Sequence, residues 1–181
     1  MNELKLYTLS QKYFKYIKQF DKRVPSIAAG KDKRLFIGVV LEINGCNYFA
    51  PLTSPKIKHL HMHNAEDFLK IENGRLGAIN LNNMIPVPMQ EVRKVEMNRE
   101  LTDSEDTKKY KTLLENQRRW CNNHKKQIIN KATNLRNVID KPEKRHLRER
   151  CCDFPLLEKK CLEYENGVIK TIEKTKQIDL E

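Results

Sequence analysis

The chain has 181 residues, of which 39% are apolar and 33% are charged, and its formal net charge is +11. This length supports one domain with a true core and is short for two, and the composition excludes a disordered chain. Residues 1–60 hold 11 Lys and Arg against 4 Asp and Glu, so a polyanion is the expected partner. We expect nucleic acid rather than a membrane, because no basic amphipathic segment carries a continuous apolar stripe with aromatic anchors.

The N-terminus lacks an apolar run of signal-peptide length, and no stretch is long enough to span a bilayer, so we expect a cytoplasmic protein. The five cysteines, at positions 46, 121, 151, 152 and 161, are odd in number and form no C-x-x-C pattern. We therefore expect reduced packing residues rather than a disulfide framework or a zinc knuckle.

The first elements in chain order are a strand, a helix and a loop. Residues 4–9 alternate with a period of two, which predicts a strand. Ser10 is a good N-cap for a short basic helix over 11–20, where aromatic residues recur at helical spacing and lysines line another side. Residues 21–34 show no periodicity and end in four charged residues, so we predict a loop that delivers positive charge to the next strand.

A β-hairpin is predicted over 39–52, because extended segments flank Asn44-Gly45, two residues that tolerate positive φ. Its second strand runs into two hydroxyls and a lysine within 53–56. Since Pro51 and Pro55 cannot donate ladder hydrogen bonds, this strand should be an edge or should end here. Hydroxyls and an ammonium at a strand end suit a phosphate, and the alternative is a capped turn with a solvated lysine.

The rest of the β half should be irregular over 57–66, then form a second hairpin from 68–72 and 76–81, an edge or strand start at 85–89 and a last strand at 91–97.

Beyond Thr102, helical spacing predicts one long amphipathic helix up to Pro142 or two that break near Asn122-Asn123. A charged connector over 141–150, a helix over 154–164 and a partly ordered tail over 165–181 follow. We therefore expect one domain, 1–181, with a mainly β part over 1–97 and a helical part over 102–164.

Several kinds of site are excluded by their missing motifs. The chain has no glycine-rich phosphate loop, no nucleophile elbow and no H-E-x-x-H sequence. The four acidic residues of the basic segment do not cluster as a two-magnesium nuclease requires. Three alternate histidines, at 59, 61 and 63, could meet one metal ion but lack a fourth ligand at a recognised spacing, so we favour a nucleic-acid-facing loop. We expect neither a metal nor a cofactor.

Cleavage without a metal is open to RNA, because its own 2′-hydroxyl can attack the adjacent phosphate. Lysine, arginine, tyrosine, serine and threonine can together remove the proton, stabilise the added charge and protonate the leaving oxygen. The candidate catalytic residues are Tyr13, Lys33, Arg34, Thr53, Ser54 and Lys56. The candidate RNA-binding residues are Lys12, Lys15, Phe20, Lys22, Arg23, Lys31, Lys58 and His59. The alternative is a non-catalytic RNA-binding regulator on a basic β-barrel, which would use the same basic face only for phosphate contacts.

Four stretches within residues 4–90 carry a resemblance to a known family. They are Leu6 to Ser10 with Lys12-Tyr13 and Phe20-Asp21, Phe36 to Ile43, Tyr48 to Lys56 with its A-P-L-T-S-P-K run, and Gly77 to Leu81 with Met84 to Val87. In this order they resemble the ToxN/AbiQ family of type III toxin–antitoxin endoribonucleases, close to its CptN branch.

The resemblance implies an α+β fold with a strongly twisted antiparallel sheet or partial barrel of the MazF/Kid kind, peripheral helices and a mainly helical C-terminal half. It also implies a single endoribonuclease toxin domain that cuts adenine-rich cellular or phage mRNA and leaves 2′,3′-cyclic phosphate and 5′-hydroxyl ends. A repeated pseudoknot RNA would be its antitoxin, in closed toxin–RNA rings, and the pair would inhibit growth and defend against phage.

The same resemblance implies an active site made of Tyr13, a basic residue before the hairpin, Thr53, Ser54 and Lys56. Alignment on Phe36-Ile37-Gly38 places Arg34 where relatives can have lysine, with Lys33 one residue earlier. An arginine there can stabilise charge but hardly deprotonates, so both residues stay candidates for the basic position.

Overall fold

A computed structural model describes residues 3–25, 34–98 and 100–178, with the side chains of 169–178 excepted. Lys31 and Lys33 lie outside the described residues. Within the described ranges the chain forms seven strands and six α-helices. The strands are β1 (Lys5–Leu9), β2 (Phe36–Ile43), β3 (Cys46–Thr53), β4 (Phe68–Lys70), β5 (Ala78–Asn80), β6 (Ile85–Pro86) and β7 (Val92–Lys94). The helices are α1 (Gln11–Lys18), α2 (Ile57–His61), α3 (Glu105–Asn123), α4 (Lys125–Val138), α5 (Arg145–Arg150) and α6 (Phe154–Ile178).

The described strands form one antiparallel sheet, which confirms the α+β class. The strand path runs β4-β5-β3-β2-β1-β7, and β6 pairs with β3 beside this path. The predicted hairpin is present: β2 and β3 pair directly across Asn44 and Gly45, whose φ values are 51° and 75°. A turn with positive φ at both central residues has the twist that the flanking strands require, and asparagine and glycine tolerate positive φ. The Asn-Gly pair therefore predicted the hairpin correctly.

Strand β3 is a central strand, so of the two alternatives predicted from Pro51 and Pro55, an edge strand or a strand end, the edge is wrong and the end is observed. On one side β3 pairs with β2 through most of its length. On its other side it pairs with β6 at Tyr48 and Phe49, and with β5 at Leu52 and Thr53. Pro51 lies between the residues that pair with β6 and those that pair with β5. The ladder requires no hydrogen bond from Pro51 at this change of partner, so its missing N–H is tolerated. The strand does end at Thr53, two residues before Pro55.

Local signals located several helix ends correctly. The Ser10 hydroxyl accepts the backbone N–H of Tyr13 at 3.1 Å and caps α1, as predicted. Ser104 caps α3 in the same way. The sequence left open one long helix or two, and two helices are observed, with the break at His124. Two predictions were wrong: 57–61 is helical rather than irregular, and the last helix continues past 164 to Ile178. Within the charged connector predicted over 141–150, residues 145–150 form the short helix α5.

One apolar cluster joins the sheet and the helices, with members from Leu4 in the N-terminal segment to Cys161 in α6. All five cysteines are free thiols within this core, as expected for packing residues. Burial raises the pKa of the Cys121 thiol to about 12, so this sulfur stays protonated. Within the described residues, no helix combines the length and apolar character that crossing a bilayer requires.

A buried ionic group ties the helical half to the sheet. Glu158 of α6 is 6% exposed and accepts hydrogen bonds from Arg136 of α4, at 2.7 and 3.0 Å, and from the Tyr48 hydroxyl of β3 at 2.7 Å. Burial acts to raise the pKa of Glu158, but the hydrogen bonds from Arg136 and Tyr48 outweigh it and hold the pKa below its ordinary 4.5. The carboxylate is therefore charged and paired near neutral pH.

Replacing Arg136 with leucine should cost about 3 to 5 kcal/mol of unfolding free energy, because it leaves Glu158 buried without its cation. A carboxyl with a lowered pKa contributes stability that is present above its ordinary pKa and is lost as the pH falls through its folded pKa. The gap between wild type and Arg136→Leu in urea unfolding should therefore be wide at about pH 7 and should narrow as the pH falls below about 4.5.

The matched control is Arg145→Leu, which removes a mostly exposed pair with Glu149 and should stay within about 0.5 kcal/mol of wild type. Equal losses in the two variants, or a gap that does not depend on pH, would contradict the role given to Glu158.

Candidate active site

A cleft of about 310 Å³ opens where β3 ends, and we call it the strand-end cleft. Leucines supply its apolar lining. Its polar lining consists of Arg34, Thr53, Ser54, Lys56, Tyr110 and Gln117. Four of the six residues predicted to be catalytic are thus brought together, although Arg34 lies 19 positions before Thr53, the nearest of the other three in the sequence.

Thr53, at the end of β3, is held by the neighbouring strand and by a helix. It pairs with Ala78 of β5, and its hydroxyl donates to the Ala78 carbonyl at 3.3 Å. The buried Gln117 of α3 donates its amide to the carbonyl of Leu76 at 2.7 Å and lies 3.5 Å from that of Thr53. These bonds position the strand end from which Ser54 and Lys56 project.

Gly77 allows the chain before β5 to approach β3 closely. Its φ is +98°, a conformation that side-chain-bearing residues rarely adopt, and a Cβ there would overlap the Thr53 carbonyl oxygen. No other residue type fits this position without moving the strand end.

The charges in the strand-end cleft are positive. Ser54 and Lys56 are exposed, and Arg34 is half-buried. Burial lowers the pKa of the Arg34 guanidinium, yet an arginine remains a cation at neutral pH. Among the described residues that line the cleft, none is acidic. A phosphate group would therefore meet hydroxyls, an ammonium and a guanidinium without repulsion.

Tyr13 does not join this cleft. Its ring is fully buried and packs edge-on against Tyr164, and its hydroxyl donates to the Pro86 carbonyl at 2.7 Å. Burial raises the pKa of Tyr13 well above its ordinary value. Pro86 pairs with Tyr48, five residues before Thr53 on β3, which is about 16 Å along the strand. In this structure Tyr13 is a core residue, and we leave it out of the reaction centre.

A second cleft, of about 360 Å³, lies beside the first and shares Thr53 and Lys56 with it. Side chains from α2, from the pair β4 and β5, and from the end of α5 line it, among them Lys58, His59, Phe68, Asn80 and Arg150. We call it the second cleft. The lysine and the threonine at the end of β3 therefore stand between two adjoining cavities.

The other predicted RNA-binding residues divide into exposed and engaged side chains. Lys12, Lys15 and Lys22 are exposed on or just after α1. Phe20 packs against Tyr16 and under the Lys160 ammonium, and Arg23 pairs with Asp21 and donates to the Arg148 carbonyl. Phe20 and Arg23 thus have structural partners, and the Lys12 ammonium lies 5.8 Å from the centroid of the Tyr164 ring. None of the three exposed lysines lines either cleft.

The three alternate histidines are not brought together. His59 is 2% exposed, whereas His61 and His63 are exposed. Across the part of the chain that the structure describes, no group of three or more His, Cys, Asp and Glu side chains is placed to hold a metal ion.

Sequence reasoning missed the contribution of α3 to the site. Tyr110, 41% exposed, and the buried Gln117 line the strand-end cleft from this helix. Both fall on the i, i+3, i+4, i+7 spacing from which an amphipathic helix is predicted beyond Thr102. A glutamine within such a stripe was a usable signal, because a buried amide needs a hydrogen-bond partner outside its helix.

Comparison with known proteins gives consistent matches. Residues 5–162 match the model of a family described as toxin ToxN of the type III toxin–antitoxin system. The chain is 32% identical to endoribonuclease ToxN of Bacillus thuringiensis subsp. kurstaki over 96% of this chain and 91% of the relative. It is 35% identical to endoribonuclease ToxN of Pectobacterium atrosepticum over 87% and 91%. A solved structure from work on selective toxin inhibition by a non-coding RNA pseudoknot in type III systems has a TM-score of 0.76 at 29% identity, covering 91% of this chain and 99% of that one.

Substitution of Gly77 by alanine should lower the unfolding free energy by about 1 to 3 kcal/mol or more. Alanine is strained at this positive φ, and its methyl group would overlap the Thr53 carbonyl oxygen. The control is Gly167→Ala in α6, where an added Cβ has no atom within 4 Å. Alanine favours a helix over glycine by up to about 1 kcal/mol, so this variant should gain stability. Urea unfolding measures both, and a Gly77→Ala protein as stable as wild type would disprove the close approach.

Proposed function

The chain belongs to the ToxN family of type III toxin–antitoxin toxins, and from this we propose that it is an endoribonuclease with the strand-end cleft as its reaction centre. The observation that carries the proposal is the meeting of Arg34, Thr53, Ser54 and Lys56 in one cleft, in a chain whose relatives are named endoribonucleases. A cationic cleft without acidic lining suits a phosphodiester.

The proposed reaction uses the RNA as its own nucleophile. The 2′-hydroxyl gives its proton to a water molecule that carries it to solvent, the 2′-oxygen bonds to the adjacent phosphorus, the phosphorane gains negative charge, and the bond from phosphorus to the 5′-oxygen breaks. The products are a 2′,3′-cyclic phosphate and a 5′-hydroxyl, and the leaving oxygen takes up one proton. The protein must orient the phosphate, stabilise the phosphorane and supply that last proton.

The side chains of the strand-end cleft divide these tasks. The Thr53 and Ser54 hydroxyls orient the phosphate, and Arg34 stabilises the charge that develops on its oxygens. Lys56 is the group that we assign to protonate the 5′-oxygen, because an ammonium gives up a proton far more readily than a guanidinium. Tyr110 offers an aromatic face on which a neighbouring base can stack.

The proposal extends to partners and place of action. A pseudoknot RNA antitoxin would occupy the basic surface, with the exposed Lys12, Lys15 and Lys22 contacting phosphates. Toxin and RNA would form closed rings, and the substrate would be adenine-rich cellular or phage mRNA in the cytoplasm, so that cleavage limits growth and phage spread. We also propose that residues 1–181 act as one toxin domain whose antiparallel sheet is related to that of MazF/Kid toxins.

Purified protein, free of antitoxin and in EDTA, should cut adenine-rich single-stranded RNA and leave cyclic phosphate ends that mass spectrometry identifies. Ser54→Ala and Lys56→Ala should each lower the cleavage rate by about 100-fold or more, because each removes a group that acts on the transition state. Pseudoknot RNA binding, measured by filter retention, should change little, since one phosphate contact is a small part of the total.

Lys126→Ala, an exposed lysine on α4 away from both clefts, serves as the charge-matched control and should cleave like wild type. RNA that stays intact with the wild-type protein would refute the catalytic proposal and favour a non-catalytic RNA-binding regulator. Cleavage that EDTA abolishes and a divalent ion restores would refute the metal-independent route.

The two candidates for the basic position can be separated by substitution. If Arg34 stabilises charge, Arg34→Lys should retain much more cleavage activity than Arg34→Ala, because the cation is kept while proton transfer was never its task. Lys33→Ala should then remain close to wild type. Single-turnover cleavage rates measure all three variants, and a severe loss in Lys33→Ala with a mild one in Arg34→Ala would reverse the assignment.

A further inference from the structure

Gln117 is a buried polar residue on the face of α3 that covers the strand-end cleft. It is 2% exposed and lines the cleft together with Leu113 and Leu114 of the same helix. Burial of a side-chain amide is costly unless its donor and acceptor groups find partners. The two ends of this amide are in different situations.

The donor end of the amide is paired with the backbone. Its nitrogen, Nε2, donates to the Leu76 carbonyl at 2.7 Å and lies 3.5 Å from the Thr53 carbonyl oxygen. Only the amino group of a glutamine can face two carbonyl oxygens, so these neighbours fix the orientation of the amide. The amide oxygen, Oε1, therefore points away from both carbonyls.

The acceptor end of the amide has no protein partner. Among the described residues no group donates to Oε1 of Gln117, and this oxygen is not one of the fully buried side-chain atoms that lack a hydrogen bond. Since Gln117 lines the strand-end cleft, its oxygen opens into that cavity. An acceptor that is held in place at the wall of a cleft suits a ligand group that donates a hydrogen bond.

The cations of the cleft cannot accept such a bond. Arg34 and Lys56 carry hydrogen-bond donors only, which suits the oxygens of a phosphate. In RNA the 2′-hydroxyl lies on the carbon next to the one that bears the 3′-phosphate. A phosphate held at the end of β3 therefore brings this hydroxyl into the same cleft, beside the amide that contacts the Thr53 carbonyl.

We propose that the Gln117 amide oxygen accepts a hydrogen bond from the 2′-hydroxyl on the 5′ side of the scissile phosphate and so positions the attacking oxygen. This inference rests on the proposed function, which identifies that phosphate. An amide oxygen is too weak a base to remove the proton, so Gln117 aligns the hydroxyl and the proton passes to water. The same contact selects ribose over deoxyribose, because a 2′-hydrogen has nothing to donate.

The test compares short adenine-rich oligonucleotides that carry one modified nucleotide at each position in turn. A 2′-amino group donates a hydrogen bond, a 2′-fluoro group does not, and neither supplies the hydroxyl that attacks the phosphate. When the modified nucleotide is the one 5′ of the cut, wild type should bind the 2′-amino oligonucleotide about three- to tenfold more tightly, as expected for one hydrogen bond. Fluorescence anisotropy measures both affinities, and Gln117→Met should bring their ratio to about one.

The matched control is Gln127→Met, which replaces an exposed glutamine of α4 and should keep the wild-type ratio. Gln117→Met also removes the bond to the Leu76 carbonyl. A partly unfolded sample binds both oligonucleotides less tightly by the same factor, however, so the ratio still reports the contact. Equal losses with the wild-type ratio kept would show a structural role only and would overturn the inference.

The wild-type ratio needs no substitution, so it tests the contact even if Gln117→Met does not fold. A ratio of one overturns the inference. Tighter binding of the 2′-fluoro oligonucleotide by wild type also overturns it, because it would place a donor rather than an acceptor beside the 2′ position.

The outcomes separate this inference from the proposed function. If wild type cuts no RNA, the proposed function fails, but a 2′-amino preference at one position that Gln117→Met removes still supports the contact. If wild type cuts RNA and binds the 2′-amino and 2′-fluoro oligonucleotides equally, the proposed function stands and the contact is refuted.

Discussion

Strand β3 has to satisfy hydrogen bonding on both of its sides, and the rest of the structure depends on how it does so. One side is supplied by β2 through a tight hairpin. The other side is shared by two short strands, β6 and β5, which pair with different halves of β3. Because Pro51 lies at the change of partner, a residue that usually disrupts a sheet is accommodated in its centre.

The two halves of β3 serve different purposes. Tyr48, in the first half, donates to the buried Glu158 and so connects the sheet with α6 and α4. Thr53 ends the second half. Gly77 packs against the Thr53 carbonyl, the Gln117 amide lies close to the same carbonyl oxygen, and the residues that follow are exposed to solvent. A rigid strand anchored at one end and exposed at the other is a suitable base for reactive groups, because their positions follow from the sheet.

The distribution of charge follows the same division. Within the core, the carboxylate of Glu158 is paired with a guanidinium, as a buried charge must be. At the strand end, Arg34 and Lys56 line a cleft whose described lining holds no carboxylate, so their charge is available to a bound anion. The basic excess noted in the N-terminal third therefore includes the two cations that the fold brings to one cavity.

Local patterns in the sequence determined β1, the Ser10 cap of α1, the Asn44-Gly45 hairpin and the end of β3, because strand period, capping and turn chemistry act between near neighbours. The quoted motifs of the β half also sufficed to predict the family. Only the tertiary structure decided that Tyr13 is buried beside Pro86, that Arg34 and Lys56 line the same cleft, and that Tyr110 and Gln117 of α3 complete it. Helical or strand spacing tells which residues share a face, but which surface that face covers depends on packing between segments far apart in the chain.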